Sequence, residues 1–487
     1  MTAVSSLRLR SLNDQAPRPG GQFVLYWMVA FRRVQWNFAL QHAVELAVKY
    51  QRPLLVVESL RCDYPWASDR HHRFILDGMA DNARHLKSSP VLYHPYVEPH
   101  PGAAEGLIPF LAEQACAIVT DDFPCFILPD MLQAAAAQCS VAFTAVDSNG
   151  ILPLRATDTL YPSAYAFRRF LQKNLVGPLL SPPQADPLQG QRLPELKQLP
   201  AEVHQRWPAC PVEQLQRPQS LLAQLPLDHS VPAAPLQGGS QAARKAIEGF
   251  LQHKLSRYAE ERNQPEADVT SGLSPYLHFG HISAQQIAHE LLQRQGWSPH
   301  RLESKPRGQK EGWWGLDVNA EAFLDQLITW RELGFNMCAH NPLYDRYESL
   351  PPWARASLEA HADDPRQYLY ALDEFAAGAT HDLLWNAAQR QLVREGRMHN
   401  YLRMLWGKKI LEWTRHPRQA LEVMIELNNR YALDGRDPNS TSGIFWCLGR
   451  YDRPWGERPI FGKIRTMSSE RTAKKVGVKT YLETYGE

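Results

Sequence analysis

Cysteine is scarce and poorly spaced for chemistry. The chain holds seven (Cys62, Cys116, Cys125, Cys139, Cys210, Cys338 and Cys447), and no two of them make a CxxC pair. That pattern excludes a structural zinc site or an iron–sulfur cluster, and an odd, scattered set is no secreted disulfide framework. No metal is expected, and a reducing, cytoplasmic compartment fits best, nucleoid-associated if the source is prokaryotic. No apolar run reaches membrane-spanning length, so no membrane partner is expected. The opening MTAVSSLRLRSLNDQAPRPGG lacks an apolar signal core, and residues 1–20 read as a flexible lead. There is no GxGxxG, so a dinucleotide fingerprint is absent. No internal repeat is evident, and a formal net charge of +2 names no partner.

What is present begins with size. At 487 residues the chain exceeds what one core serves, so two or three domains are expected. The first, over 21–160, alternates short β-rich runs with helical ones. Strands are predicted at Phe23–Val29, Pro53–Ser59, Val91–Val97, Ala117–Asp122 and Val141–Ser148. Helices are predicted at Phe38–Val48, His72–Leu86, Leu107–Gln114 and Leu128–Ala137. That alternation predicts an α/β, Rossmann-like domain with a parallel sheet covered on both faces. Residues 161–240 are dense in Pro, Gln and Leu and read as a surface linker between domains. From 241 to 487 the periodicity is helical almost throughout, including Ala242–Arg262, Ser283–Gln295 and Ala320–Cys338, so an all-α domain is expected.

Within that domain one stretch stands out, His381 to Trp446. Apolar residues recur at helical spacing through Leu383, Leu384, Ala387, Ala388 and Leu392, then through Leu402, Leu405, Trp406, Ile410 and Trp413, with Gly396 as the stop between the runs. By residue type alone these tryptophans are core packing. Nine basic residues between Arg450 and Lys479 face few acids there. A solvated tail is the default reading, phosphate contact the sharper one. TSGLS at Thr270–Ser274 reads as a capping segment in its own right.

Several long motifs, in order, resemble the photolyase/cryptochrome superfamily. They are Tyr258 in YAEERNQP, TSGLSPYLHFG, WNAAQRQLVREGRMHNYLRMLWGKKILEW, LNNRYALDGRDPN and RPWGERPIFGKIRTMS, and together they look like the class II cyclobutane pyrimidine dimer (CPD) photolyases. The resemblance implies FAD as cofactor, held by Tyr258, Thr270, Ser271, Gly272, Leu273, Ser274 and Arg331. Arg403 and Asp434 would pair beside the isoalloxazine, with Asn428 near its N5. It implies a lesion flipped out of the duplex, sandwiched by Trp330 and Trp446 and touched by Met404. Trp406, Trp385 and Trp413 match the electron-transfer triad, with Tyr370 as an accessory. Arg450, Arg453 and Arg465 would grip the DNA backbone.

Two departures qualify the match. Gln326 stands where the class carries a glutamate against the lesion, and an amide cannot hold that negative charge. Val29, Ala30 and Phe31 replace the polar and acidic residues that usually follow the YWM of the first strand. The same resemblance implies an antenna chromophore, a deazaflavin or a folate, in the first domain. The expected partner is double-stranded DNA carrying ultraviolet-induced pyrimidine dimers, met by a monomer. The alternatives are a cryptochrome-like blue-light receptor without repair and a photolyase of (6-4) lesions, for which no histidine is assigned.

Overall fold

Phe23–Met28 (β2), FVLYWM, is buried at every position, as a strand covered on both faces must be. It lies mid-sheet in a computed structural model describing residues 3–486. The other strands are Leu9–Ser11 (β1), Leu54–Leu60 (β3), Leu92–Val97 (β4), Ala115–Asp121 (β5) and Phe143–Val146 (β6). The sheet order is β1-β6-β5-β2-β3-β4. Every pairing is parallel except that of β1 with β6. Helices Phe38–Tyr50 (α1), Asp69–Leu86 (α2), Leu107–Ala112 (α3) and Leu128–Ala137 (α4) make the crossovers. The α/β alternation expected from sequence is therefore the observed architecture.

Strand order reverses between β2 and β5, the point where such sheets most often receive ligands. There Asp121 Oδ2 accepts the backbone N–H groups of Val29, Ala30 and Phe31 at 2.7–2.9 Å, and Oδ1 accepts the Tyr26 hydroxyl at 2.7 Å. Burial pushes the Asp121 carboxyl up, and those donors oppose the shift. The apolar Val29–Phe31 turn is thus fastened to the end of β5 through its backbone.

Two expectations need correction. The lead read as flexible carries β1, whose Leu9 pairs with Val146. Beside it Arg8 is buried, donating to Gly150 O and, at 2.6 Å, to Ile151 O. A three-residue strand is too short to show a period. The linker expected over 161–240 is not a free connector either. The chain divides into one unit of Met1–Asp158, Asn174–Ile247 and Leu273–Gly296 and a second of Thr159–Lys173, Glu248–Gly272 and Trp297–Glu487. Residues 174–247 lie on the α/β unit, anchored by buried Leu199, Val203, Trp207 and Leu215. Cys210 N–H donates to Pro95 O at 2.7 Å, and His94 Nε2 meets Trp207 O at 3.0 Å. Proline erases the period there, yet a large apolar residue every few positions still docks the strap.

The second unit is helical. The helices that matter here are Val318–Leu324 (α5), Arg331–His340 (α6), Leu383–Glu395 (α7), Asn400–Trp413 (α8), Pro417–Tyr431 (α9) and Pro438–Cys447 (α10). Gly396 ends α7 in the left-handed conformation, φ 69°. The helix expected over Ala320–Cys338 is interrupted by a π segment, Asp325–Trp330, between α5 and α6. No helix among the described residues is long and apolar enough to cross a membrane.

Candidate functional site

Helix α8 carries most of the site. His399 caps it by accepting the Tyr401 N–H. One face, with Leu402, Leu405, Trp406, Ile410 and Trp413, is buried, while Arg403 and Met404 on the first turn stay half-buried. Cys447 packs against Gly407, where a β-carbon would lie 2.5 Å from its Sγ. Only glycine permits α8 and α10 to approach that closely.

The three tryptophans singled out from sequence meet in the core. Trp385 and Trp406 are stacked, with centroids 6.4 Å apart and planes 3° apart, and Trp413 meets Trp385 edge-on at 5.9 Å. Trp385 Nε1 donates to Trp406 O at 3.0 Å, and Trp406 Nε1 to Gln389 Oε1 at 2.9 Å. Each inner indole N–H therefore has an acceptor, as burial requires. Tyr370 lies edge-on to Trp413 at 5.7 Å.

Arg403 Nη2 reaches Asp434 Oδ1 at 3.0 Å, with both side chains about one-eighth exposed (12% and 13%). Asn428 is buried on α9 and donates to Ser440 Oγ at 3.0 Å. Leu433 N–H donates to Gly396 O at 2.8 Å, which ties the Asp434 turn to the residue before Arg397. Arg397 in turn is the neighbour of Gly272: a β-carbon there would meet only Arg397 Nη1, at 3.9 Å, and φ is 65°. Gly272, which follows Thr270 and Ser271, thus lies beside Arg397, just ahead of α8. Leu273 and Ser274 belong to the other unit, where Ser274 opens the short helix Ser274–His278. Tyr258 is buried edge-on against Phe250 and Phe323, both at 5.6 Å, and burial pushes its phenol up. The Arg331 guanidinium is buried over the Phe335 ring at 4.5 Å.

Gln326 and Trp330 both sit on the π segment, half-buried, while Leu327, Ile328 and Thr329 between them are buried. Single π turns concentrate at functional positions because they re-aim side chains. The Gln326 amide makes no side-chain hydrogen bond among the described residues. Trp446 on α10 is likewise half-buried, with Lys408 Nζ 4.9 Å and the Arg465 guanidinium 5.4 Å from its ring.

Arg450 corrects an expectation. It is 1% exposed, stacks over Phe445 at 3.7 Å and donates to Tyr344 O at 2.8 Å and to Ser349 Oγ. A guanidinium so enclosed has no surface to offer a phosphate. Arg453 and Arg465 do reach the surface, 5.0 and 4.2 Å from the exposed Trp455 ring, and Arg465 pairs with Asp452 at 3.1 Å.

Three residues here escaped the sequence reading. Trp455 lies within RPWGERPIFGKIRTMS with nothing in its spacing to set it apart. Lys408 is fully buried with its ammonium on Cys447 O at 2.6 Å, and burial brings it down to about 8. In GKKILEW it looks like any helix-surface lysine. His381, beside Tyr370, precedes its helix with no periodic signal.

No family model matches the chain. It is 35% identical over 481 residues to the deoxyribodipyrimidine photo-lyase of Methanothermobacter thermautotrophicus, covering 98% of this chain and 97% of that protein. To the proteins of the same name from Arabidopsis thaliana and Potorous tridactylus it is 33% and 32% identical, covering 98% and 96% of this chain and 92% and 81% of theirs. Among solved structures, a class III photolyase from Agrobacterium tumefaciens matches with a TM-score of 0.70 at 17% identity, covering 100% of this chain and 88% of that one. A cryptochrome from Synechocystis matches with a TM-score of 0.67 at 16% identity, covering 97% and 89%. These two likenesses establish the fold.

Proposed function

This chain belongs to the deoxyribodipyrimidine photolyase family, enzymes of light-driven DNA repair, and from that premise we propose that it is of class II type and reverses cyclobutane pyrimidine dimers. The observation carrying the proposal is that one helix, α8, bears Arg403, Met404, Trp406 and Trp413. The cation of the ion pair, a contact for the lesion and two members of the tryptophan chain are thereby fixed to one rigid element.

The residues present fit flavin adenine dinucleotide. Thr270, Ser271 and the open backbone at Gly272 offer hydroxyl and N–H donors beside Arg397, a donor set suited to a diphosphate. The nearly enclosed Arg403–Asp434 pair puts opposite charges where screening is weak, so it favours a ring that changes charge. Asn428 presents an amide that donates or accepts as needed. When bound, FAD supplies the light-driven one-electron chemistry.

In this reading the half-buried faces of Trp330 and Trp446 stack on the extruded pyrimidines, and Met404 adapts to their irregular edge. The Gln326 amide hydrogen-bonds the base edges without carrying charge. Trp413, Trp385 and Trp406, in that order, would pass an electron inward toward the flavin, a service distinct from the repair step itself. Arg453 and Arg465 hold phosphates on the flanking backbone without reading sequence.

The test is direct. Purified protein is expected to show flavin absorption, and blue light to restore an oligonucleotide carrying one cyclobutane dimer. Bound flavin with no light-dependent loss of the dimer would overturn the repair reading.

A further inference from the structure

The outer end of the tryptophan chain touches a tyrosine that is already bonded to a base. The Tyr370 hydroxyl lies 2.7 Å from His381 Nδ1, and its oxygen also accepts the His381 backbone N–H at 3.0 Å. The Tyr370 ring is edge-on to Trp413 at 5.7 Å, and the imidazole itself is 5.0 Å from Trp413. Tyr368 stacks on the imidazole at 3.7 Å with planes 22° apart and holds its orientation, while His381 is otherwise exposed. Phenol, base and indole are thus pre-positioned, and the base faces water.

We propose that Tyr370 and His381 form a proton-coupled terminus of the chain, with His381 as the proton acceptor; this rests on the tryptophan relay proposed above. The oxidant is the photoexcited oxidised flavin acting through the indoles. It leaves Trp413 as a radical cation. One electron then passes from Tyr370 to Trp413, which returns to the closed-shell indole. The phenolic O–H breaks at the same time and its proton goes to His381 Nδ1, giving a neutral tyrosyl radical and an imidazolium. Charge is conserved, because the positive charge leaves Trp413 and ends on His381. A phenol without a base would have to form a strongly acidic phenol radical cation, so the histidine makes the step downhill. Once the proton is exchanged with solvent through the exposed imidazole, the electron moved inward has no ready path back.

The experiment is time-resolved absorption and electron paramagnetic resonance on flavin-loaded, oxidised protein after a blue flash. In the wild type a tryptophanyl signal is expected to give way to a tyrosyl one, with a solvent deuterium isotope effect on that step. His381→Phe keeps an aromatic ring beneath Tyr368 but accepts no proton, and should slow tyrosyl formation about 100-fold. His381→Ala should lose it likewise and regain it with added free imidazole, a rescue that a structural role would not allow. A tryptophanyl radical that decays with no tyrosyl signal in the wild type would overturn this proposal alone. So would an unchanged tyrosyl yield in His381→Phe. Absence of any tryptophanyl radical would overturn the relay beneath it as well.

Discussion

Trp385 and Trp406 come from different helices, yet their rings are parallel to within 3° and the ring N–H of Trp385 is bonded to the backbone carbonyl of Trp406 at 3.0 Å. The bond sets the register of α7 on α8 and the ring overlap in one contact. Trp385→Phe removes the bond and the most buried indole of the set. Photoreduction of the oxidised flavin is expected to slow by at least an order of magnitude under continuous blue light, and stability to fall by about 2 kcal/mol. Repair by enzyme reduced chemically beforehand should suffer far less. Equal loss of both would show that Trp385 acts only through the fold.

Gln326 lies in a half-buried π turn with its amide unengaged among the described residues. Replacing it by glutamate changes charge with almost no change in volume, so packing is preserved. Gln326→Glu is expected to raise the dimer-repair yield of the reduced enzyme severalfold while leaving photoreduction alone. The yield per absorbed photon on a single-dimer oligonucleotide measures it. A fall would show that the amide itself is the group suited to this site.

How much of this was legible depended on how locally each feature is encoded. The buried strands, FVLYWM above all, declare themselves by composition, and the α7 stop by Gly396. The edge strand β1 does not, because three residues of LRS carry no period. The strap of 174–247 hid its anchors, Trp207 and Val203, among prolines. The π turn at Asp325–Trp330 was unreadable because its sequence is an unbroken helical pattern, and only tertiary packing decides such a turn. For the site, residue type alone gave core tryptophans. Resemblance singled out Arg403, Asp434 and the indoles, but it also nominated Arg450, since a family motif does not separate an exposed guanidinium from a buried one.

Arg450 and Arg465 therefore predict opposite phenotypes. Arg465→Ala frees Asp452 and removes an accessible cation beside Trp455. Its affinity for damaged duplex should fall and the slope of log K against log salt should drop by about 1. Arg450→Met should leave that slope unchanged. Its effect on stability, about 2 kcal/mol in either direction, is set by what replaces the bonds to Tyr344 O and Ser349. Salt titrations by fluorescence anisotropy and urea melts distinguish the two.

Lys408 supplies the pH dependence. It is fully buried, no carboxylate among the described residues pairs with it, and its closest polar contact is Cys447 O at 2.6 Å. Burial, the largest cause, brings it from 10.5 to about 8, against the pull of Cys447 and Asp452 and with the push of Arg465. Below about 8 both folded and unfolded chains hold the proton, and the folded state bears the full cost of an enclosed ammonium. Between about 8 and 10.5 the unfolded chain binds more protons, so this residue's contribution to stability rises with pH. The rise totals on the order of 3 kcal/mol once the amine is neutral in both states. Lys408→Met removes the term. The wild type should therefore gain on the variant as pH is raised from neutrality toward 10, by chemical denaturation at matched ionic strength. A constant difference across that range would mean that the ammonium is solvated after all, and that the cation 4.9 Å from Trp446 is not a fixed neighbour of that ring.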